Sequence, residues 1–175
     1  MANSNFYTAA PEDVTLVLTW NANGGGTHVV EGVSEGTFIT IDPVDGSITQ
    51  SEGGYGTLQR VFRKRSNFTM SVTLQAGSPS NDILSELHKR DQEARRLDWI
   101  FQVNMKDGNR TAFFSPQAFI ETYPSVGFGT DVPDVTWTIV CTQCEYHIGG
   151  SGYIDSDTEQ TLADIGYTVD PYYVQ

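Results

Sequence analysis

Apolar and polar positions alternate with period two along most of this chain, the spacing at which successive side chains of a strand point to opposite faces. Val14-Thr15-Leu16-Val17-Leu18-Thr19-Trp20 is rich in β-branched and apolar residues and stops at Asn21-Ala22-Asn23-Gly24-Gly25-Gly26. Residues 27–33 resume the pattern, which predicts a hairpin with a wide loop. Residues 38–41 form a third expected strand, ended by Asp42-Pro43. The cleanest alternation is 67–75, where Phe68, Met70, Val72 and Leu74 share one face and Thr69, Ser71, Thr73 and Gln75 the other. One face is apolar; the other is wet but uncharged. Further strands are expected at 99–105, 111–114, 119–122 and 135–145, with a turn at Asp107-Gly108-Asn109, and residues 57–64 also alternate.

Between 80 and 96 the period changes. Ser80, Asn81 or Asp82 can cap a helix start, Ile83, Leu84, Leu87 and Ala94 mark a core-facing stripe, and Glu86/Arg90 and Asp91/Arg95 are acid-before-base pairs four apart. The pattern predicts a mainly β fold, a β-sandwich or split barrel open on one side, with one flanking α-helix over about 81–96. A single domain is expected, with a core over about 14–148 and with 1–12 and 149–175 as arms. The C-terminal stretch shows little hydrophobic pattern, although Tyr167, Tyr172 and Tyr173 are available to dock on a neighbour.

At 175 residues the chain is long enough to bury a core without metals or disulfides. Its first residues lack a basic start followed by an apolar run, and no stretch approaches the roughly 20 apolar residues that cross a bilayer. A soluble chain made inside a cell, with no membrane partner, is the expectation. Two cysteines do not make a disulfide framework. The sequons Asn67-Phe68-Thr69 and Asn109-Arg110-Thr111 matter only on a secretory route.

Charge changes the picture more. A net charge of -12 repels phosphate backbones and excludes a DNA-binding protein of the usual kind. All ten basic residues lie between Arg60 and Arg110, beside six acids; the flanks on either side hold only acids. Four of the bases, Arg60, Arg63, Lys64 and Arg65, fall within six positions. A chain with acidic ends and a basic middle can attract another copy of itself in a head-to-tail contact, of the kind that closes into rings or propagates into filaments.

Candidate chemistry is sparse. Gly32-Val33-Ser34-Glu35-Gly36 fits GxSxG, but a nucleophile elbow needs a strand, a tight turn and then a helix, and a strand follows here, so an ordinary turn is the simpler reading. Cys141-Thr142-Gln143-Cys144-Glu145-Tyr146-His147 offers two thiols and an imidazole. Zinc needs about four converging ligands, and in an extended strand Cys141 and Cys144 would point to opposite faces. Gly53-Gly54-Tyr55-Gly56 opens no helix that would hold a phosphate. No catalytic residue, metal site or cofactor is expected, and Trp20, Trp99 and Trp137 suit core packing better than a sugar-binding platform.

Glu35-Gly36-Thr37-Phe38-Ile39-Thr40-Ile41-Asp42, a long Gly-containing loop, Arg65-Ser66-Asn67, the alternating strand, and Ser78-Pro79-Ser80-Asn81-Asp82 opening the helix follow one another in order. This arrangement, over roughly residues 34–145, resembles the tail tube proteins of contractile-tailed bacteriophages; the Ser-Pro-Ser-Asn-Asp run is its most specific piece. The resemblance implies a subunit that joins its sheets with copies of itself into hexameric rings, which stack as the hollow inner tube of a tail. Its partners would be further copies, the sheath and baseplate proteins, a tape measure protein before genome ejection, and double-stranded DNA that passes without specific binding. A baseplate or tube-initiator protein of the same fold is the nearest alternative, and a small metal or thiol protein using the cysteine stretch the next.

On this reading Asp45, Glu52, Tyr55, Arg60, Arg63, Lys64 and Arg65 are expected at subunit or ring-stacking contacts. Lys89, Arg90, Arg95 and Arg96 form a second set of contacts on the helix, or pair locally with Glu86 and Asp91. Thr69, Ser71, Thr73 and Gln75 are candidates to face the channel.

Overall fold

The computed structural model describes residues 11–62, 66–130, 132–150 and 152–174. Ten strands occur among them: β1 (Thr15–Trp20), β2 (Gly26–Val29), β3 (Ile39–Pro43), β4 (Ile48–Glu52), β5 (Leu58–Phe62), β6 (Phe68–Gln75), β7 (Phe101–Lys106), β8 (Ala112–Ile120), β9 (Asp134–Thr142) and β10 (Glu145–His147). Helix α1 (Ser80–Ala94) follows β6, and α2 (Ser156–Asp164) lies in the C-terminal stretch. Eight strands form one antiparallel sheet in the order β2-β1-β7-β8-β9-β6-β3, with β10 pairing the first part of β8. Among the described residues β4 and β5 pair only with each other.

The alternation seen in the sequence is the alternation of burial. Leu16 and Leu18, Val103 and Met105, Met70, Val72 and Leu74, and Val135, Trp137, Ile139 and Cys141 all turn inward, and Leu84 and Leu87 of α1 close over them. The opposite face of the same strands carries Thr15, Thr19, Thr40, Thr69, Ser71, Thr73, Thr136 and Thr138, with hydroxyl contacts across strands at Thr19/Thr27 and Thr73/Thr136. Threonine fits such a face because its β-branched side chain suits a pleated strand while its hydroxyl stays hydrated.

The sheet is open, and a single segment ties its two ends together. After β2 the chain donates from Val30 N–H to the Leu16 carbonyl, then crosses to the other end of the sheet. There Val33 bridges Leu74, Ser34 N–H reaches the Thr73 carbonyl, and Gln75 N–H reaches the carbonyl of Gly32. Edge strands β2 and β3 are thus joined by a strap, residues 30–38, that makes the curved sheet a split barrel.

The Ser-Pro-Ser-Asn-Asp run holds that strap. The Ser80 hydroxyl, fully buried, accepts from Glu31 N–H at 2.9 Å and lies 3.1 Å from the Glu31 carbonyl and 2.9 Å from His28 Nε2. The Ser78 hydroxyl donates to the same Glu31 carbonyl. Gly32, at φ 69°, passes so close that a Cβ would stand 2.7 Å from the Cβ of Ser78, so glycine is required there. Asn81 donates to the Gln75 carbonyl at 2.9 Å and accepts from the buried Trp137 indole at 2.9 Å. None of Ser80, Asn81 and Asp82 caps the helix as the sequence suggests, because Pro79 takes the N-cap position and the first two side chains are committed to the strap and to Trp137.

Other expectations also change. The stretches 111–114 and 119–122, read as separate strands, merge into one shorter strand, β8, that ends at Ile120; a register shift lets Pro116 sit within it, and the Ser115 hydroxyl bridges the Gln117 and Thr142 carbonyls at 3.0 Å. The 135–145 run breaks at Gln143, whose φ is 55°, giving β9 and β10. The single helix is joined by a second: Asp155 caps α2 by accepting from Thr158 N–H at 2.8 Å. Tyr167 and Tyr173 dock on their own chain rather than outward. Tyr167 stacks on His147 at 4.5 Å, while the Tyr173 hydroxyl reaches the Gly108 and Asn109 carbonyls at 2.9 and 2.6 Å. No helix among the described residues is long and apolar enough to cross a membrane.

Candidate functional site

The β4–β5 hairpin leaves the sheet at the end of β3, where Val44 N–H still reaches the Asn67 carbonyl, and beyond that point it pairs with no other strand among the described residues. Its register sets Ile48 opposite Phe62, Gln50 opposite Arg60 and Glu52 opposite Leu58, so the apolar Ile48, Leu58 and Phe62 share one face with Gln50, Glu52 and Arg60. The Arg60 guanidinium lies 4.5 Å from the centre of the Phe62 ring. Leu58 and Phe62 are 68 % and 69 % exposed, and Tyr55, at the tip, is 100 % exposed. An isolated two-stranded hairpin is marginal in water, and burial of three large apolar side chains would be worth about 1.5–3 kcal/mol each. Here that apolar face is bare.

Of the residues expected at contacts, Asp45, Glu52, Tyr55 and Arg60 lie on this hairpin or at its root, all exposed. Arg63, Lys64 and Arg65 lie outside the described residues. Lys89, Arg90, Arg95 and Arg96 stand exposed along the second half of α1 and just past it, away from the hairpin's strands. Arg90 makes the local pair with Glu86, 2.6 Å apart and half exposed on both sides, which holds the Glu86 carboxyl below its ordinary range. Arg95 ends the helix in the left-handed conformation, φ 49°, with its N–H on the Asp91 carbonyl. Thr69, Ser71 and Thr73 sit half-buried on the hydroxyl face and Gln75 is exposed at its edge.

The opposite end of β6 carries a second apolar feature. The chain between β8 and β9, together with the start of α1, frames a groove of about 480 Å³ floored by Val135 and Trp137 and walled by Tyr123, Val126, Phe128 and Val132. The Tyr123 ring packs edge-on against His88 at 4.4 Å. His88 is buried, and neither ring nitrogen finds a hydrogen-bond partner among the described residues. Phe128 is 95 % exposed. Neither the hairpin's apolar face nor the groove stood out in the sequence. The available signal was Phe128 between Gly127 and Gly129, a large apolar residue in a turn-rich stretch with no strand to place it.

Other candidate chemistry resolves into packing. The left-handed residue Gln143 reverses strand parity, so Cys141 and Cys144 both face inward beside Ser115 instead of to opposite faces. Burial pushes the Cys141 thiol up to about 12, and the Cys144 thiol up as well, which keeps both protonated. Among the described residues no group of three or more His, Cys, Asp and Glu side chains is placed to hold a metal ion. The GxSxG serine runs into β3, and its hydroxyl donates to the Asp134 carboxylate.

No protein-family model matches the chain. Among solved structures, the tube-terminating cap of the anti-feeding prophage superposes with a TM-score of 0.47 at 11 % identity, over 85 % of this chain and 97 % of that one. The sheath/tube terminator of an extracellular contractile injection system, PVC, gives 0.43 at 12 % identity, over 83 % and 100 %. Structural protein ORF10 of Pseudomonas phage KPP10 is 32 % identical over 164 residues, 93 % of this chain and 94 % of that protein. A match of that identity over nearly the whole of both chains means that this chain belongs to the family of that phage structural protein.

Proposed function

We propose that this protein is a non-catalytic virion component, the single-domain subunit of the inner tube of a contractile phage tail, six copies forming a ring and rings stacking into a conduit. One observation carries the reading: the apolar side chains of the β4–β5 hairpin are exposed and it has no further partner strand among the described residues, which fits an element completed by another copy. The charge distribution supports it. Chains at -12 repel one another, so rings of six cohere only where opposite charges meet, with screening over roughly 8–10 Å dampening the rest. Arg60 on β5, with Arg63, Lys64 and Arg65 following it in the sequence, supplies positive charge to pair with acidic surface on the adjacent subunit. The hydroxyl face of Thr69, Ser71, Thr73 and Gln75 suits a channel wall. A cationic lumen would hold the duplex by counterion release, whereas an uncharged, hydrated one lets it slide. Sheath, baseplate and tape measure proteins are the partners that such a tube meets.

Negative-stain microscopy of the purified protein at high concentration tests this, with the double variant Arg63→Glu, Lys64→Glu alongside. The native chain gives long tubes or stacked rings, and the variant remains folded but dispersed. Rings that never stack would indicate a tube-capping or initiating protein of the same fold; normal tubes from the variant would refute the charge pairing.

A further inference from the structure

We infer that the groove between α1 and the chain at 123–130 and 132–133 receives the β4–β5 hairpin of a second copy of this chain. The inference rests on the self-assembly reading above and adds where the hairpin goes. Both surfaces are apolar and open, and they lie at opposite ends of one strand. The hairpin springs from the Phe68 end of β6, where Pro43 is its register partner, and the groove sits at the Gln75 end, where Leu74 pairs with the groove residue Val135. The seven steps from Phe68 to Gln75, at roughly 3.3 Å each, set the two ends about 23 Å apart, so the root of a chain's own hairpin lies at the far end of β6 from its own groove. The next copy along the strand axis has its groove where the hairpin ends. A projection at one pole and a socket at the other make a head-to-tail contact that repeats without closing, as a stack of rings requires.

Charge favours the same occupant. Phe62 and Leu58 share their face with Arg60 and with the one acid Glu52, and the sequence continues from β5 into Arg63-Lys64-Arg65, so the basic charge is in excess. In the sequence the groove segment is bounded by Glu121 and Asp134, the latter also accepting from the Ser34 hydroxyl, and Asp131 lies between them. Seating Phe62 and Leu58 against Tyr123, Phe128 and Trp137 would therefore bring a basic strand against acidic borders. A socket of about 480 Å³ has room for such side chains, since it falls within the roughly 300–1,000 Å³ of ordinary binding clefts.

The test joins the two surfaces covalently. Leu58→Cys and Phe128→Cys are combined in one chain and oxidised under assembly conditions, with each single variant as a control; the native thiols, both buried, stay out of the reaction. The double variant is expected to give a ladder of cross-linked multimers that the singles do not. Phe128→Glu, at an exposed position where folding is unaffected, is expected to raise the concentration needed for assembly by roughly 30-fold, the loss typical of an aromatic anchor in an interface. Tubes that form without cross-links, or that form as readily from Phe128→Glu, would put another occupant in the groove and overturn this inference while leaving self-assembly intact. A native chain that stays monomeric at every concentration overturns both.

Discussion

Replacing Ser80 by alanine tests the strap that joins the two ends of the sheet. The serine hydroxyl is the partner of Glu31 N–H at 2.9 Å, and its one proton is shared between the Glu31 carbonyl and His28 Nε2. In Ser80→Ala the carbonyl keeps Ser78, but the Glu31 N–H faces a buried methyl with no acceptor. An orphaned donor costs about 1–3 kcal/mol, and a lost hydroxyl contact about 0.5–1.5 more, so a destabilisation of roughly 2–3 kcal/mol is expected. For a chain of this length each kcal/mol moves the melting temperature by about 2–4 °C, which gives a fall of about 4–12 °C. Thermal denaturation followed by circular dichroism reads the size of the effect, and hydrogen exchange reads its place: amides of residues 30–34 should exchange faster while those in the middle of α1 keep their protection. Ser85→Ala, one turn further along α1, is the control. If Ser80→Ala melts within about 1 °C of the native chain, or if the added exchange appears in α1 instead of the strap, the role assigned to this hydroxyl is wrong.

Two further predictions concern titration. Burial lowers the His28 imidazole below its ordinary value, with Glu31 opposing in part, so the unfolded chain binds the proton more readily than the folded one. Stability therefore rises with pH through the region just below 6.5 and is lost as the pH falls through it; His28→Gln should flatten that slope in denaturant midpoints taken between about pH 5 and 8. An undiminished slope in the variant would assign the effect to other groups. The Cys141 thiol, buried and raised to about 12, should resist alkylation in the folded protein at pH 8 and react only on unfolding; prompt labelling of Cys141 in the native state would contradict this placement.

Much of the fold was legible because an antiparallel sheet with one wet face writes itself into the chain as alternation. The 67–75 run is the clearest case, since Met70, Val72 and Leu74 are buried and Thr69, Ser71 and Thr73 are not. Parity is where such reading slips. One left-handed residue, Gln143, turned Cys144 to the same side as Cys141, and the register shift between β7 and β8 let one strand run through the gap left between 111–114 and 119–122. Ser80 and Asn81 were recognisable as special but not for what they do, because a capping signal is local while Glu31 lies 49 residues away and Trp137 lies 56. The candidate site was half visible. Its charges were plain in the segregation of lysine and arginine, but its apolar parts were not, because Leu58, Phe62 and Phe128 are exposed, so no core imposes a period on them.

The strap also fixes a dimension. Because nine residues connect the sheet's outermost strands, those strands can spread no farther than that length of chain allows, and the radius to which the sheet bends is capped by it. Lengthening the tether by a residue or two would let the half-barrel relax toward flatness, whereas shortening it would tighten the curl. Any cylinder assembled from these sheets would inherit its gauge from that span of main chain.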